Sequence, residues 1–169
     1  MSKPRVITLE NNVKAILKAA TGDTLKKAAL AGGQVIEANA KINVNNTFSS
    51  KSTSGAGLGG SIQTVVSKST KTRAEVDIGP TVIYGRIREL GGLILPIHGK
   101  MLSWLLGNGS GTGKQKALGR VFVNKEGRVF AERVQVTATP YLRPAVDEHE
   151  NEIRQAVGYQ LKKGIEAVT

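Results

Sequence analysis

The stretch GRVFVNKEGRVFAERVQVTA, residues 119–138, is predicted to form a β-hairpin with its turn at about residues 125–127. Two segments before it, SIQTVVSKST (61–70) and RAEVDIG (73–79), alternate apolar and polar residues. Such alternation predicts neighbouring antiparallel strands. The apolar runs LILPI (93–97) and MLSWLL (101–106) have the length of further strands. The middle of the chain is therefore predicted to be antiparallel β-structure.

A long helix is predicted before the strands, from Asp23 to about Val44, with Thr21 or Asp23 as its cap. Its apolar residues recur at a spacing of three to four, which is typical of one buried helical face. Gly32 and Gly33 in its middle either weaken the helix or let a neighbour approach closely. A shorter helical piece, NNVKAILKAA, precedes it.

A second helix is predicted at the C-terminal end, where Pro144 suits the first turn and Asp147 and Glu148 complement the positive N-terminal dipole. One apolar stripe then runs from Val146 to Val168. A short helix is also predicted in TVIYGRIREL (81–90), with its stop at the glycine pair that follows. The expected architecture is a single α+β domain over residues 1–169, an antiparallel sheet packed by a long N-terminal helix and a C-terminal amphipathic helix.

Two segments rich in Gly and Ser, at about residues 45–61 and 107–117, are predicted to be mobile loops. The second one, GNGSGTGKQK, superficially resembles a phosphate-binding loop. The pattern fails because Asn108 stands where the first glycine is needed and Gln115 where the magnesium-binding hydroxyl is needed. No nucleotide and no other cofactor is expected.

The composition points to a folded chain with an anionic partner. Lys and Arg number 24 against 13 Asp and Glu, a net charge of +11, and there is no cysteine. The charge favours nucleic acid, an anionic membrane or an acidic protein surface as partner. The absence of cysteine excludes disulfides, thiolate metal sites and a cysteine nucleophile. No apolar run approaches the ~20 residues of a membrane-spanning helix, so no membrane span is expected. Of the three classes of partner, nucleic acid and acidic protein are kept as expected partners and the membrane is not.

Catalytic chemistry is not indicated by any constellation of residues. His98 and His149 are far apart in sequence and have no ligand-like spacing to another His. Glu75 and Asp77 share one face of a strand, where exposed carboxylates are common, so an acid–base pair is not expected. Nucleic-acid binding is the fairer alternative, although stacking aromatics are scarce and no helix carries a basic reading face.

Two motifs carry a resemblance to a known family. YGRIRELGG (84–92) looks like a short helix that ends in a glycine turn, and PYLRPAVDEHENEIRQAVGYQLKKGI (140–165) opens with two prolines before an amphipathic helix. Together with GGLILPIHGKMLSW and RVFAERVQV between them, their order resembles the tail-completion and head–tail joining (neck) proteins of long-tailed bacteriophages. That family includes the virion morphogenesis proteins, and the likeness covers about residues 24–168.

The resemblance implies a non-enzymatic virion protein that assembles as a homo-oligomeric ring, commonly six-fold. It would be assembled in the host bacterial cytoplasm and lie in the neck or tail, between connector and tail-tube proteins. The motif residues would then have structural roles in the subunit or its assembly. They are Tyr84, Glu89, Gly91, Gly92, Pro140, Tyr141, Leu142, Arg143 and Pro144.

Individual roles follow from the same resemblance. Tyr84 and Leu90 would anchor the short helix, and Gly91 with Gly92 would make the turn. Pro140 and Pro144 would fix the entry into the last helix, with Leu142 buried between them. Arg143 would pair with a carboxylate such as Glu89 or with a neighbouring subunit.

The two loops are interpreted as assembly arms that order against a neighbouring subunit. Lys51, Lys114, Lys116 and Arg120 are the candidate contacts to the partner or to a polyanion. Whether the basic surface faces acidic protein rings or the phosphates of passing DNA is left open by the sequence. A small basic nucleic-acid-binding module is the alternative function.

Overall fold

A computed structural model describes residues 22–48, 57–105 and 115–167. It confirms the predicted α+β class, with antiparallel sheets between an N-terminal and a C-terminal helix. The elements in chain order are α1 (Asp23–Thr47), β1 (Ile62–Ser69), β2 (Ala74–Pro80), α2 (Tyr84–Leu90), β3 (Gly92–Ile94), β4 (Leu102–Leu105), β5 (Gln115–Val123), β6 (Arg128–Val136), α3 (Leu142–Asp147) and α4 (Glu150–Glu166).

The strands form two separate sheets. β1 and β2 make a two-stranded antiparallel sheet, as their alternation predicts. In the second sheet β6 is central, with β5 along one edge and the short strands β3 and β4 one after the other along the opposite edge. The hairpin predicted at residues 119–138 is confirmed: Asn124 Oδ1 accepts hydrogen bonds from the backbone N–H groups of Glu126 and Arg128, and Gly127 has φ 74°.

Helix α1 packs on the smaller sheet, and α3 and α4 pack on α1. One core lies between α1, the smaller sheet and α3. The second sheet has its own small core, against which Ile87 of α2 packs. The first core consists of Ala40, Val44, Leu58, Ile62, Tyr141 and Ala145, and the second of Ala131, Val134 and Val136. α2 therefore lies where the two parts of the molecule meet.

Close approach explains the glycine pair in α1. A Cβ at Gly32 would lie 2.9 Å from a methyl group of Val157 in α4, and a Cβ at Gly33 would lie 2.5 Å from the Thr64 methyl group in β1. Thr64 Oγ1 also donates a hydrogen bond of 3.1 Å to the Gly33 carbonyl oxygen. Of the two predicted reasons for these glycines, the structure supports the close approach of neighbours.

The C-terminal helix differs from the prediction because it is broken. Asp147 ends α3 and Glu148 follows it, so neither residue lies at the helix N-terminus where their charge was expected to help. His149 is the N-cap of α4, and Glu150 and Glu152 take the first-turn positions instead. The break separates α3, whose Ala145 belongs to the core together with Tyr141, from α4, which packs along α1.

Both predicted loops are shorter than expected where the structure describes them. α1 continues to Thr47, and Phe48 packs against the first core. The chain is described again from residue 57, and Leu58 and Ser61 are buried. β5 begins at Gln115, so residues 115–117 belong to a strand. Residues 49–56 and 106–114, with Lys51 and Lys114, lie outside the described residues, as do Thr21 and the predicted helical piece at 11–20.

Candidate assembly site where two sequence motifs meet

The two motifs that carry the resemblance contact each other through Glu89. Its carboxylate, at the end of α2, accepts hydrogen bonds from the backbone N–H groups of Tyr141 (2.7 Å), Leu142 (3.0 Å) and Arg143 (3.1 Å). The first N–H groups of a helix have no partner within that helix. Because α3 has no capping side chain of its own, Glu89 supplies the cap from about fifty residues away.

Arg143 therefore contacts Glu89 differently from the prediction. The contact is made by its backbone N–H, while the residue is exposed to solvent. A guanidinium–carboxylate pair was expected, but the carboxylate oxygens of Glu89 face the start of the helix instead. The expected pairing of Arg143 with a neighbouring subunit stays a prediction.

Tyr141 is the anchor of this junction. Its side chain has no solvent exposure, its hydroxyl donates a 3.2 Å hydrogen bond to the carbonyl oxygen of Gly85, and its own carbonyl accepts one of 3.1 Å from the Asn43 amide. A Cβ at Gly85 would overlap Pro80, so only glycine lets α2 lie this close to the end of β2. Tyr141 thus ties α1, α2 and α3 together through its hydroxyl and its backbone carbonyl.

The glycine turn after α2 is present as predicted. Gly91 caps the helix with φ 70° and donates its N–H to the Ile87 carbonyl oxygen over 2.9 Å. A Cβ at Gly91 would lie 2.8 Å from the backbone nitrogen of Ala138. Gly92, with φ 147°, begins β3. The turn sends the chain from α2 straight into the edge of the second sheet.

Tyr84 and Leu90 are not anchors of the short helix, which corrects the expectation. Both side chains are about half exposed. The helix is held instead by its buried Gly85 and by Ile87, which packs on the second core.

The proline pair frames α3 less tightly than expected. Pro140 is exposed and Pro144 half-buried, in the first turn of α3 as predicted. Leu142 is half-buried against the first core, whereas the fully buried residue between the prolines is Tyr141. Sequence reasoning placed Tyr141 in the motif without a role, and the residue pattern alone does not show that its ring points inward.

Two of the candidate polyanion contacts are described, and both lie on β5. Lys116 is exposed. Arg120 is exposed and pairs with Glu132 of β6, its Nε 2.6 Å from Oε1. The pair raises the pKa of Arg120 and lowers the pKa of Glu132. Arg120 is thus engaged within the chain, which leaves Lys116 as the better candidate for an outside contact.

Burial raises the pKa of the Tyr141 phenol to about 12, and the charge of Glu89 is the smaller cause. In the unfolded chain this pKa is about 10, so the folded state holds the proton more tightly. The corresponding stability is fully present below pH 10 and is lost as the pH rises towards 12, at about 1.4 kcal/mol per pH unit.

We therefore expect the unfolding free energies of the wild type and of Tyr141→Phe to converge and then cross above pH 10. At pH 8 the variant should be less stable by about 1 kcal/mol, the contribution of one hydrogen bond. Urea unfolding at pH 8, 10, 11 and 11.5 measures the difference. A difference that stays constant over this range would contradict the burial of an ionisable phenol.

The described residues hold no arrangement that indicates metal chemistry. In residues 22–48, 57–105 and 115–167, no three His, Asp or Glu side chains are grouped so that they could hold a metal ion. His98 is exposed in the bend after β3, and His149 Nδ1 lies 3.3 Å from Glu152. None of the helices described is long and apolar enough to cross a membrane.

Comparison with models of protein families, with curated proteins and with solved structures finds no match to this chain.

Proposed function

We propose that the chain is a structural virion protein of a long-tailed bacteriophage. It assembles into a closed homo-oligomeric ring, with six subunits as the leading case. The ring joins the head to the tail or completes the head-proximal end of the tail. The proposal rests on the resemblance of the two motifs, and it is supported by their direct contact through Glu89 and Tyr141.

Exposed apolar surface is the observation that carries the assembly part of this proposal. Within the described residues, fifteen large apolar side chains are exposed, whereas eleven apolar residues are buried and four of these are alanine. Single exposed apolar residues are ordinary, but contiguous groups indicate an interface with another protein. Two groups of at least three such residues are close together in sequence, Leu93–Leu95 with Ile97, and Val121–Val123, and Ile83 with Tyr84 forms a pair.

The native mass tests the proposal. Light scattering after gel filtration in about 0.15 M salt screens weak phosphate contacts and reports the number of subunits. We expect a closed oligomer near six subunits, seen as rings by negative-stain electron microscopy. A monomer at every concentration up to about 100 µM, well above the dissociation constants of stable assemblies, would contradict it.

A basic nucleic-acid-binding module is the second candidate, and a groove with two lysines in its lining favours it. Lys27 of α1 and Lys163 of α4 line the same groove. The backbone N–H of Gly22 donates a 3.2 Å hydrogen bond to the Lys71 carbonyl oxygen, which brings the β1–β2 turn to the same end of α1. This candidate predicts a monomer that binds duplex DNA with a steep dependence on salt. An oligomer whose DNA binding disappears at about 0.15 M salt would exclude it.

A further inference from the structure

An apolar groove beside the motif junction is open to solvent. It has a volume of about 460 Å³ and lies between the end of β2, α2 and the start of α3. Its lining includes Ile78, Pro80, Val82 and Leu142. Ile83, at its rim, is 98% exposed. An isoleucine this exposed next to an apolar groove indicates a surface that another protein covers.

The groove has an acidic neighbour. The segment 147–152, which we call the acidic corner, contains Asp147, Glu148, Glu150 and Glu152. Two of these carboxylates have partners nearby: Glu150 pairs with Arg154 and Glu152 contacts His149. Asp147 and Glu148 are exposed. α3 starts at the groove and ends at the corner, and its six residues span about 9 Å. The surface is therefore mainly apolar at the groove, whose lining also includes the exposed Arg86, and acidic about one helix length away.

The opposite combination lies on the loop between β3 and β4, residues 95–101, which we call the β3–β4 loop. Ile97 is 88% exposed there and Leu95 is 58% exposed. His98 and Lys100, both exposed, follow directly. No Asp or Glu occurs between Leu90 and Lys125. The loop therefore carries exposed apolar side chains beside a cation, in a stretch of sequence that contains no Asp or Glu.

The spacing of the two surfaces also agrees. Lys100 lies three positions after Ile97 in a bent segment, so their Cα atoms are closer than the ~10 Å of an extended chain. The long side chain of Lys100 adds to this reach, so that the loop can span the roughly 9 Å between the groove and the acidic corner. The loop of a chain does not fill the groove of the same chain, because Ile97 and Ile83 are both almost fully exposed.

We propose that the β3–β4 loop of one copy docks in the groove of the next copy, with Ile97 beside Ile83 and Lys100 at the acidic corner. This inference rests on the proposed ring. Because loop and groove are different surfaces of one chain, the contact is head-to-tail, and repeating it closes a ring when the rotation permits. The charge pairing sets the register and the apolar contact supplies the affinity.

Cysteine cross-linking tests the contact directly, since the natural chain contains no cysteine. The variants Ile83→Cys and Ile97→Cys are purified separately, mixed and oxidised mildly. A disulfide forms only where the two Cα atoms come within about 7 Å. We expect a cross-linked dimer from the mixture and a ladder of multimers from the double variant. The control is a mixture of Ile97→Cys with Tyr159→Cys, an exposed position on α4.

The mixed pair should cross-link about 100-fold faster than the control at ~10 µM protein, because docking raises the effective thiol concentration to the millimolar range. Equal rates would overturn the inference. If the wild-type protein is nevertheless an oligomer by native mass, the ring uses another contact and the proposed function stands. A monomer at every concentration together with equal rates would overturn both.

A charge reversal tests the position of Lys100. Lys100→Glu should weaken association on the order of tenfold, and Glu148→Lys in the same chain should restore it. Lys125→Glu, a reversal at the β5–β6 turn, is the matched control. Glu148→Lys should not restore any association between copies that this control variant loses. Rescue of the Lys125 variant, or no rescue of the Lys100 variant, would overturn the assigned register.

Discussion

Replacing Glu89 with alanine should lower the free energy of unfolding by about 3 kcal/mol, the largest effect we expect from a single half-buried position. Its carboxylate accepts three backbone hydrogen bonds at the start of α3, and Tyr141, one of the donors, is fully buried. Loss of a helix cap costs about 0.5–2 kcal/mol, and hydrogen bonds to a charged group contribute about 1.5–3 kcal/mol each before solvent exposure reduces them.

Two further variants sharpen this test in urea unfolding at pH 7. Glu89→Gln keeps one acceptor oxygen but places an amide N–H₂ group against N–H donors. We therefore expect it to lose about half as much stability as Glu89→Ala. Asp77→Ala removes an exposed carboxylate from β2 and should change stability by less than about 0.5 kcal/mol. A loss for Glu89→Ala no larger than that for Asp77→Ala would show that α3 does not depend on this cap.

Gly33→Ala should destabilise the protein by about 1–3 kcal/mol, although alanine is the better helix former. The new methyl group would meet the Thr64 methyl at 2.5 Å and that of Val76 at 3.3 Å, so α1 would have to move away from the smaller sheet. Gly158→Ala is the matched control, because a methyl group added at that exposed glycine in α4 would meet no atom within 4 Å. It should stabilise by roughly 0.5–1 kcal/mol.

Thr64→Ser gives the decisive arm of this experiment. It removes the methyl group that the new alanine would meet and keeps the hydroxyl that bonds the Gly33 carbonyl oxygen. The double variant Gly33→Ala/Thr64→Ser should recover most of the loss, with a coupling of about 1–2 kcal/mol in the double-mutant cycle. Additive effects would mean that crowding against Thr64 is not the reason for the glycine.

Features that depend on neighbouring residues could be predicted from the sequence. The β5–β6 turn follows from Asn124 and Gly127, whose side chain and conformation build it locally. The end of α2 follows from Gly91 for the same reason. Alternation likewise identifies β1 and β2, and helical periodicity identifies α1. Each of these signals lies within a few residues of the structure that it predicts.

Features that depend on distant contacts could not be predicted. The role of Glu89 requires that α2 and α3 meet, and the burial of Tyr141 requires that Gly85 and Asn43 come to it. Which sheet a strand joins depends on the strands with which its edges form hydrogen bonds, and these are distant in sequence for β3, β4 and β6. For the candidate site, the two motifs could be identified from the sequence. The sequence does not distinguish the buried Tyr141 from the exposed Tyr84. The groove and its exposed rim likewise emerge only from packing.

The position of β5 at the edge of the second sheet has a consequence for how copies of the chain can associate. Among the described strands, β5 pairs only with β6, so its outer edge still offers backbone groups to another strand. The register shifts between Leu118 and Val121, where Gly119 has φ 79°, and the exposed Lys116 and Arg120 lie on either side of that glycine. Because Arg120 is paired with Glu132, Lys116 is the cation that, together with the bulge, disfavours pairing of this edge with a second copy of itself. Fibrous stacking through this edge is thereby disfavoured, which is compatible with the closed ring that we propose.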